Sequence, residues 1–194
     1  MTDYSAQLSE VLERLGNGGD RLDWGSVEVE YGVRFPQDYV DFVARFGDGS
    51  IEETLWVAIP APASDLAARR VDRVPEEVIE FPEANEWADA RAAEKYRLED
   101  LLVWGETDEA DILCWIAEES DPDRWPVAVF SRSDAVWRVY ECGMSEFIVR
   151  LLRAEFDPCP ISTRRLSGLS RPRFLHTREE MRLREAGVNP WLQR

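Results

Sequence analysis

Four short β-prone segments within residues 101–141 constrain the fold of this chain more than any other feature. The segments read LLVWG, ADILCWIAEE, WPVAVFS and AVWRVYE, and the turns between them read ETDE, SDPDR and SRSD. Segments rich in β-branched and aromatic residues, separated by Asp, Ser and Pro, are typical of strands joined by tight turns. The pattern predicts an antiparallel meander and therefore a sheet at the centre of the fold.

An aromatic helix is predicted before the meander. Pro36 suits the first turn of a helix, and Tyr39, Phe42, Val43 and Phe46 then follow at i, i+3, i+4 and i+7. One face of this helix should therefore belong to the core, and Gly47 should end it in a left-handed conformation.

The FGDGS segment, residues 46–50, and the two residues after it carry alternating oxygen-bearing residues at Asp48, Ser50 and Glu52. A calcium loop of the EF-hand type would need a longer pattern of ligands, which does not continue here. We therefore interpret FGDGS as a turn from helix to strand.

Other elements follow from apolar spacing, capping residues and chain breakers. Helices are predicted over 4–16, over 26–31 with Ser26 as its cap, over 86–98, over 143–154 with Ser145 as its cap, and over 177–186 before Gly187; a strand is predicted over 54–59, a connection with a short helix over 61–70, and a strand or loop over 74–82.

These elements predict an α+β domain over residues 1–156, with an antiparallel or mixed sheet and helices packed on one face. Residues 157–194 are predicted to form a basic helical extension, since eight Arg and three Glu follow Pro158. The extension either folds back onto the acidic domain or remains free to bind something else.

The formal charge of −16 bears directly on the class of partner. An acidic surface repels nucleic acid and anionic membranes and attracts basic proteins. No apolar run approaches the roughly 20 residues needed to span a bilayer, and the N-terminus lacks the pattern of a signal peptide. We therefore expect a cytoplasmic protein that binds a basic protein and neither nucleic acid nor membrane.

The sequence contains few residues of the types that catalysis and metal binding commonly use. His176 is the single histidine and belongs to the basic extension, where we expect it to be exposed. Metal sites and catalytic triads that need more histidine are therefore excluded, and no phosphate-binding loop pattern is present. The three cysteines have no paired spacing and should be reduced and mostly buried. We expect no metal, no cofactor and no enzymatic activity.

Two acidic clusters occupy turns of the predicted meander. They are Glu106, Asp108, Glu109 and Asp111, and then Glu118, Glu119, Asp121 and Asp123. Three interpretations remain: solvated turn charge, a patch that binds a basic partner, or paired carboxylates of a hydrolase or metal site, which would require convergence in a cleft. The tryptophans of the strands, Trp56, Trp104, Trp115 and Trp137, are expected in the core or on a sheet face rather than in a stacking platform.

The order and spacing of these residues resemble those of the SUKH superfamily of SMI/KNR-like domains, over about residues 8–155. The residues that carry the resemblance are Trp24, Val29, Glu30, Tyr31 and Gly32; Phe35, Pro36, Asp38, Tyr39, Phe42, Phe46, Gly47, Asp48 and Gly49; Trp104, Gly105, Thr107, Asp111, Leu113 and Trp115; and Trp137, Glu146, Phe147, Leu151 and Leu152. Ala110 departs from the pattern, because a small Gly usually precedes Asp111. We expect ten of the residues to determine the fold: Trp24, Pro36, Tyr39, Phe42, Phe46, Gly47, Trp104, Gly105, Trp115 and Trp137.

The resemblance implies a protein-binding module of the bacterial toxin-immunity type. Such proteins bind and neutralise a cognate toxin, often a nuclease, that a sister cell delivers. A basic toxin would suit the acidic charge of this chain. The alternative that the resemblance leaves open is a scaffold or regulatory module with a host partner and no toxin.

Overall fold

The structure, a computed structural model, describes residues 3–61, 68–81 and 85–192. The predicted connection and short helix around residues 62–67 lie outside these ranges. In chain order the elements are α1 (Tyr4–Val11), β1 (Glu13–Leu15), α2 (Trp24–Tyr31), α3 (Gln37–Arg45), β2 (Gly49–Ile51), β3 (Leu55–Val57), β4 (Asp72–Arg73), α4 (Glu76–Glu80), β5 (Glu86–Trp87), α5 (Ala90–Lys95), β6 (Leu101–Thr107), β7 (Ile112–Ile116), β8 (Val127–Ser131), β9 (Val136–Tyr140), α6 (Met144–Leu152), β10 (Arg173–His176) and α7 (Thr177–Glu185).

The described strands form one mixed sheet in the order β1-β10-β2-β3-β6-β7-β8-β9-β5, with β4 beside the first half of β6. Strands β6 to β9 pair antiparallel with their sequence neighbours, which confirms the predicted meander. The sheet is mixed because β1 runs parallel to β10 and β5 runs parallel to β9. The α+β class with a mixed sheet is therefore confirmed.

Helices α1, α3 and α6 pack against one another on one face of the sheet. Alternation along β7 divides its side chains between the two faces: Leu113 and Trp115 join the core under these helices, whereas Cys114 and Ile116 belong to a second cluster. Val74, Tyr96 and Leu98 also belong to that second cluster. Both faces of the central strands are thus covered, the second by a smaller layer.

The aromatic helix α3 forms as predicted. Tyr39, Phe42 and Val43 are buried, and the Tyr39 hydroxyl donates to the Ala58 carbonyl at 2.6 Å. Gly47 follows the helix with a φ of +75°, and a Cβ at this position would lie 2.5 Å from Asp20 Oδ2. Left-handed backbone and close approach therefore both require glycine at the predicted helix end.

Two predicted caps are replaced by other residues. Asp23 precedes α2 and accepts from the Ser26 hydroxyl at 2.7 Å, so Ser26 lies inside the helix rather than at its start. Ser145 likewise lies inside α6, and its backbone N–H donates to Asp38 Oδ2 of α3 at 2.9 Å. At α6 a carboxylate from a distant segment accepts the hydrogen bond that the local sequence assigned to a serine.

Several predicted bounds are corrected. The N-terminal helix ends at Val11, because Glu13–Leu15 pairs with β10 as a strand. The strand expected over 54–59 is limited to β3. The segment expected to be strand or loop contains helix α4, and the long surface helix over 86–98 is reduced to α5 behind the two-residue strand β5.

The C-terminal extension contributes a strand that we did not predict. Strand β10 lies between β1 and β2, antiparallel to β2, and Phe174 packs against Phe42 and Phe46 with ring centroids 5.6 and 5.3 Å apart. Gly49 to Ile51 of the FGDGS region is accordingly a strand rather than only a turn. The division of the chain at residue 157 stays a prediction about domains, but residues on both sides of it share one sheet.

Ion pairs also hold the extension onto the rest of the chain. Arg173 pairs with Glu52 at 2.8 Å, with both side chains mostly buried, and Arg184 pairs with Glu53. Glu52 and Glu53 form the turn between β2 and β3 with φ angles of 51° and 50°, which are costly for residues other than glycine. The structure therefore shows the folded-back arrangement of the extension, in which its arginines contact the strained turn.

Candidate protein-binding surface

The first acidic turn joins β6 to β7 and contains one residue that is not at the surface. Asp111 is fully buried and accepts hydrogen bonds from the Thr107 hydroxyl, from the backbone N–H groups of Arg132 and Ser162, and from the Ser162 hydroxyl. Of the three interpretations, solvated turn charge does not apply to Asp111, because this buried side chain holds two distant loops to the turn by hydrogen bonds.

The other carboxylates of this turn meet an arginine of the extension. Arg165 pairs with Asp108 and lies 3.8 Å from Glu109, while Glu106 is exposed. Part of the negative charge at this turn is therefore compensated within the chain.

The second acidic turn lies between β7 and β8 and is exposed at Glu118, Glu119, Asp121 and Asp123. Arg34 lies 3.4 Å from Asp121 and 3.5 Å from Asp123, and Arg124 lies 3.3 Å from Glu119. These pairs are solvent-exposed and contribute little energy, so they can exchange for a partner's cations.

The two acidic turns do not form one patch. They lie at opposite ends of the five-residue strand β7, which at about 3.4 Å per residue separates them by roughly 17 Å. The two acidic clusters predicted from the sequence thus occupy opposite ends of strand β7.

A groove lies beside the second acidic turn, where the N-terminal ends of three helices converge. It has a volume of about 640 Å³ and opens next to a smaller cavity of about 270 Å³ between α1 and α3. The larger groove is lined by Asp3, Tyr4, Ser5, Pro36, Gln37, Asp38, Asp41, Pro122, Asp123, Trp125, Gly143 and Glu146.

Each helix start at the groove is capped by a carboxylate. Asp3 accepts from the backbone N–H of Ala6 at 2.9 Å, Asp123 from that of Gln37 at 2.6 Å, and Asp38 from that of Ser145 at 2.9 Å. Partial positive charge at a helix N-terminus stabilises a carboxylate placed there. The caps therefore fix the positions of negative groups around the groove.

Burial raises the pKa of Asp38 above its ordinary value, although the backbone N–H groups of Ser145 and Tyr39 act in the opposite direction. Asp41 lies one helical turn further along α3 and is exposed, with its Oδ1 accepting from the Gln37 amide at 2.9 Å. Helix α3 thus places two carboxylates at the groove: that of Asp38, which is largely desolvated, and that of Asp41, which faces solvent.

Sequence reasoning identified Asp123 as a site residue but missed Asp3, Asp38, Asp41 and Glu146 as its neighbours. The sequence signal for these positions is the placement of acidic residues at predicted helix starts. This signal does not show that the positions are neighbours, because only the folded sheet brings their segments together.

A buried polar cluster joins the extension to the end of α3. His176, expected to be exposed, is 5% exposed; its Nε2 lies 3.1 Å from Asp20 Oδ2, and its Nδ1 accepts from the Arg178 backbone at the start of α7. Burial alone would raise the pKa of Asp20, but hydrogen bonds with His176 and the backbone N–H of Asp48 hold it below its usual value. His176 therefore has a structural position here, as a helix cap and a partner of Asp20.

Metal coordination finds no support in this arrangement. Among the described residues no group of three or more His, Cys, Asp or Glu side chains is placed to hold a metal ion. All three cysteines are free, and burial raises the pKa of Cys142 to about 12. Across the same ranges no helix is both long enough and apolar enough to cross a bilayer.

The architecture is that of an α+β domain whose mixed sheet carries three packed helices and whose acidic groove opens at the helix starts. The chain belongs to the SMI1 / KNR4 family (SUKH-1), whose family model matches residues 21–150, about two thirds of the chain. No curated protein and no solved structure gave a significant match. Domains of this family are known as immunity and protein-interaction modules and are generally not catalytic. Asp20 and β10, with His176, lie outside the matched region.

Proposed function

We propose that this protein is a cytoplasmic immunity protein that binds a basic bacterial toxin domain, such as a nuclease, and neutralises it. Membership of the SMI1 / KNR4 family carries the proposal, because protein interaction is the activity known for its domains. The formal charge of −16 supports a basic partner, since opposite charges accelerate association and favour complementary surfaces.

The proposal assigns no catalytic step to the chain. Within the described ranges, three groove carboxylates cap helix starts, Asp41 accepts from the Gln37 side chain and Glu146 pairs with Arg150, so none is hydrogen-bonded to a buried base or nucleophile. A carboxylate-based hydrolase would need two such groups placed on either side of a bound substrate. Inhibition would instead follow from covering the basic, substrate-binding surface of the toxin.

Co-expression tests this function. If the gene beside the one for this chain encodes a basic toxin domain, cells that produce that domain should survive when the chain is also produced, and die when an unrelated acidic protein replaces it. Death in both cases would overturn the proposal. A deletion that alters cell morphology without changing sensitivity to the toxin would support the scaffold function in its place.

A further inference from the structure

The regions around the sheet differ in how accessible they are to a partner. Strand β10 occupies the edge of β2, so a partner cannot add a strand there without displacing it. The first acidic turn is partly neutralised by Arg165, and the face opposite α1, α3 and α6 is covered by the smaller layer. The groove at the helix starts is open to solvent, and within the described ranges only two of its five carboxylates, Asp123 and Glu146, take part in ion pairs.

Charge at the groove is largely uncompensated. Within the described ranges Asp3, Asp38 and Asp41 take part in no ion pair, whereas Asp123 lies 3.5 Å from Arg34 and Glu146 lies 3.5 Å from Arg150. The known hydrogen bonds of Asp3 and Asp41 in these ranges use one carboxylate oxygen each. Both side chains are therefore available to a cationic group.

Apolar surface forms part of the same groove. Tyr4, which is partly exposed, lines it together with the carboxylates, and so do Pro36, Pro122 and Trp125, which are buried. The Trp125 ring is held in place, because its Nε1–H donates to the Glu119 carbonyl at 2.6 Å. A volume of about 640 Å³ lies within the usual range of ligand sites, which combine apolar walls with a few fixed polar groups.

A buried hydroxyl lies at the adjoining cavity. Ser145 is 1% exposed and lines the smaller cavity; its Oγ interacts with the Asp38 carboxylate but makes no hydrogen bond of good geometry among the described residues. A buried hydroxyl without such a hydrogen bond is costly unless something that enters the site satisfies it. The groove and its adjoining cavity thus have both an incompletely bonded hydroxyl and a surplus of negative charge.

We propose that this groove, defined by Asp3, Tyr4, Asp38, Asp41, Asp123, Trp125 and Glu146, is the docking site for a basic amphipathic segment of the partner protein. Arginine or lysine side chains of that segment pair with Asp3 and Asp41, and its apolar side chains contact Tyr4, beside the buried Trp125. The proposal rests on the proposed function for the identity of the partner, but its binding chemistry is that of the groove itself.

The test uses the full chain and a synthetic peptide in which arginine and leucine recur at helical spacing. In a titration followed by nuclear magnetic resonance at low salt, shifts should concentrate at Tyr4, Gln37, Asp41 and the Trp125 indole. Shifts concentrated at the turn between β6 and β7, or spread evenly over the surface, would overturn the proposal.

Two double variants with equal charge changes separate docking from general attraction. D3S/D41N removes two groove charges, while the new serine can still cap α1 and the new asparagine can still accept from the Gln37 amide. E106Q/E109Q removes two charges at the other end of β7. The groove variant should weaken peptide binding about tenfold, a loss of about 1.4 kcal/mol, and the control less than about twofold.

Equal weakening by the two variants would refute the groove as the docking site. Because this experiment contains no toxin, its result is independent of the survival test. If the peptide binds at the groove but the chain does not protect cells, only the proposed function is refuted.

Discussion

Ala110 has a left-handed backbone conformation, which is strained for a residue other than glycine. It has a φ of +63° in the turn between β6 and β7, where the family pattern has glycine. An L-residue in this region pays roughly 1–2 kcal/mol, of which the greater flexibility of unfolded glycine offsets a part. The departure noted in the sequence is thus a local source of instability.

Replacing this residue, Ala110→Gly, should raise the free energy of unfolding by about 0.5–1 kcal/mol, measured by urea denaturation. Ala93→Gly is the matched control, because Ala93 lies inside helix α5, where glycine costs about 1 kcal/mol. Destabilisation by Ala110→Gly would contradict the argument from backbone strain.

Asp48 is a second residue that lowers the stability of the fold, through its ionised form. It is 2% exposed, and burial raises its pKa to about 6, although Thr177, His176 and Arg69 act in the opposite direction. Its folded pKa lies above the unfolded value of 3.8, so the folded protein binds this proton more tightly. The resulting contribution to stability is present below about pH 4 and is lost as the pH rises to 6.

Asp48→Asn should therefore stabilise the protein more at pH 8 than at pH 5, with a limit of about 3 kcal/mol for the full shift. Thermal and urea unfolding across this pH range measure the effect, and the exposed Asp41→Asn controls for loss of one carboxylate. If the difference in unfolding free energy between Asp48→Asn and the unchanged protein does not grow with pH, the ionised Asp48 side chain does not destabilise the fold.

Among the elements, strand β10 has the largest consequence for the fold. It completes the edge of β2 and places Phe174 against α3. We expect residues 173–176 to form part of the cooperative folding unit, although they lie in the predicted extension.

Phe174→Ala should lower the free energy of unfolding by about 3–5 kcal/mol, because Phe174 is fully buried and its removal leaves a cavity. Leu192→Ala is the control at an 81% exposed apolar residue and should change stability by less than about 0.5 kcal/mol. A small loss at both positions, measured by denaturant unfolding, would show that the extension is only loosely attached.

Sequence patterns predicted the elements whose signal is local. The meander and helix α3 have periodic apolar residues over their whole length, so their positions follow from alternation and helical spacing. Strands β1 and β10 are three and four residues long and pair across most of the chain, so no local period reveals them. The leucines before GNGG are compatible with either a helix or a strand. Pairing with β10 determines that Glu13–Leu15 is a strand.

The candidate site was predicted only in part for a similar reason. An aspartate in a turn looks the same in sequence whether it is solvated, as Asp121 is, or buried under backbone donors, as Asp111 is. His176 was misplaced because its partner Asp20 lies at the other end of the chain. Burial and pairing of polar residues depend on tertiary structure, which the sequence pattern does not encode locally.

At the scale of the whole molecule, negative charge and fold have separate roles. The sheet and its two layers place the helix starts together, and the carboxylates that cap them surround the groove. In the proposed function, net charge attracts a basic partner over distance, and in our further proposal the groove determines where that partner binds. Attraction should weaken with salt, since the Debye length falls from about 10 Å at 0.1 M to about 3 Å at 1 M.

Calorimetric titration into the chain of a basic toxin domain, where one is encoded beside its gene, tests this account most directly. We expect saturable binding at low salt that weakens as salt is added, with D3S/D41N binding at least about tenfold more weakly and E106Q/E109Q binding nearly as well as the unchanged chain. Absence of heat at low salt, or equal affinity of the two variants, would contradict the claim that this chain binds a basic toxin through its acidic groove.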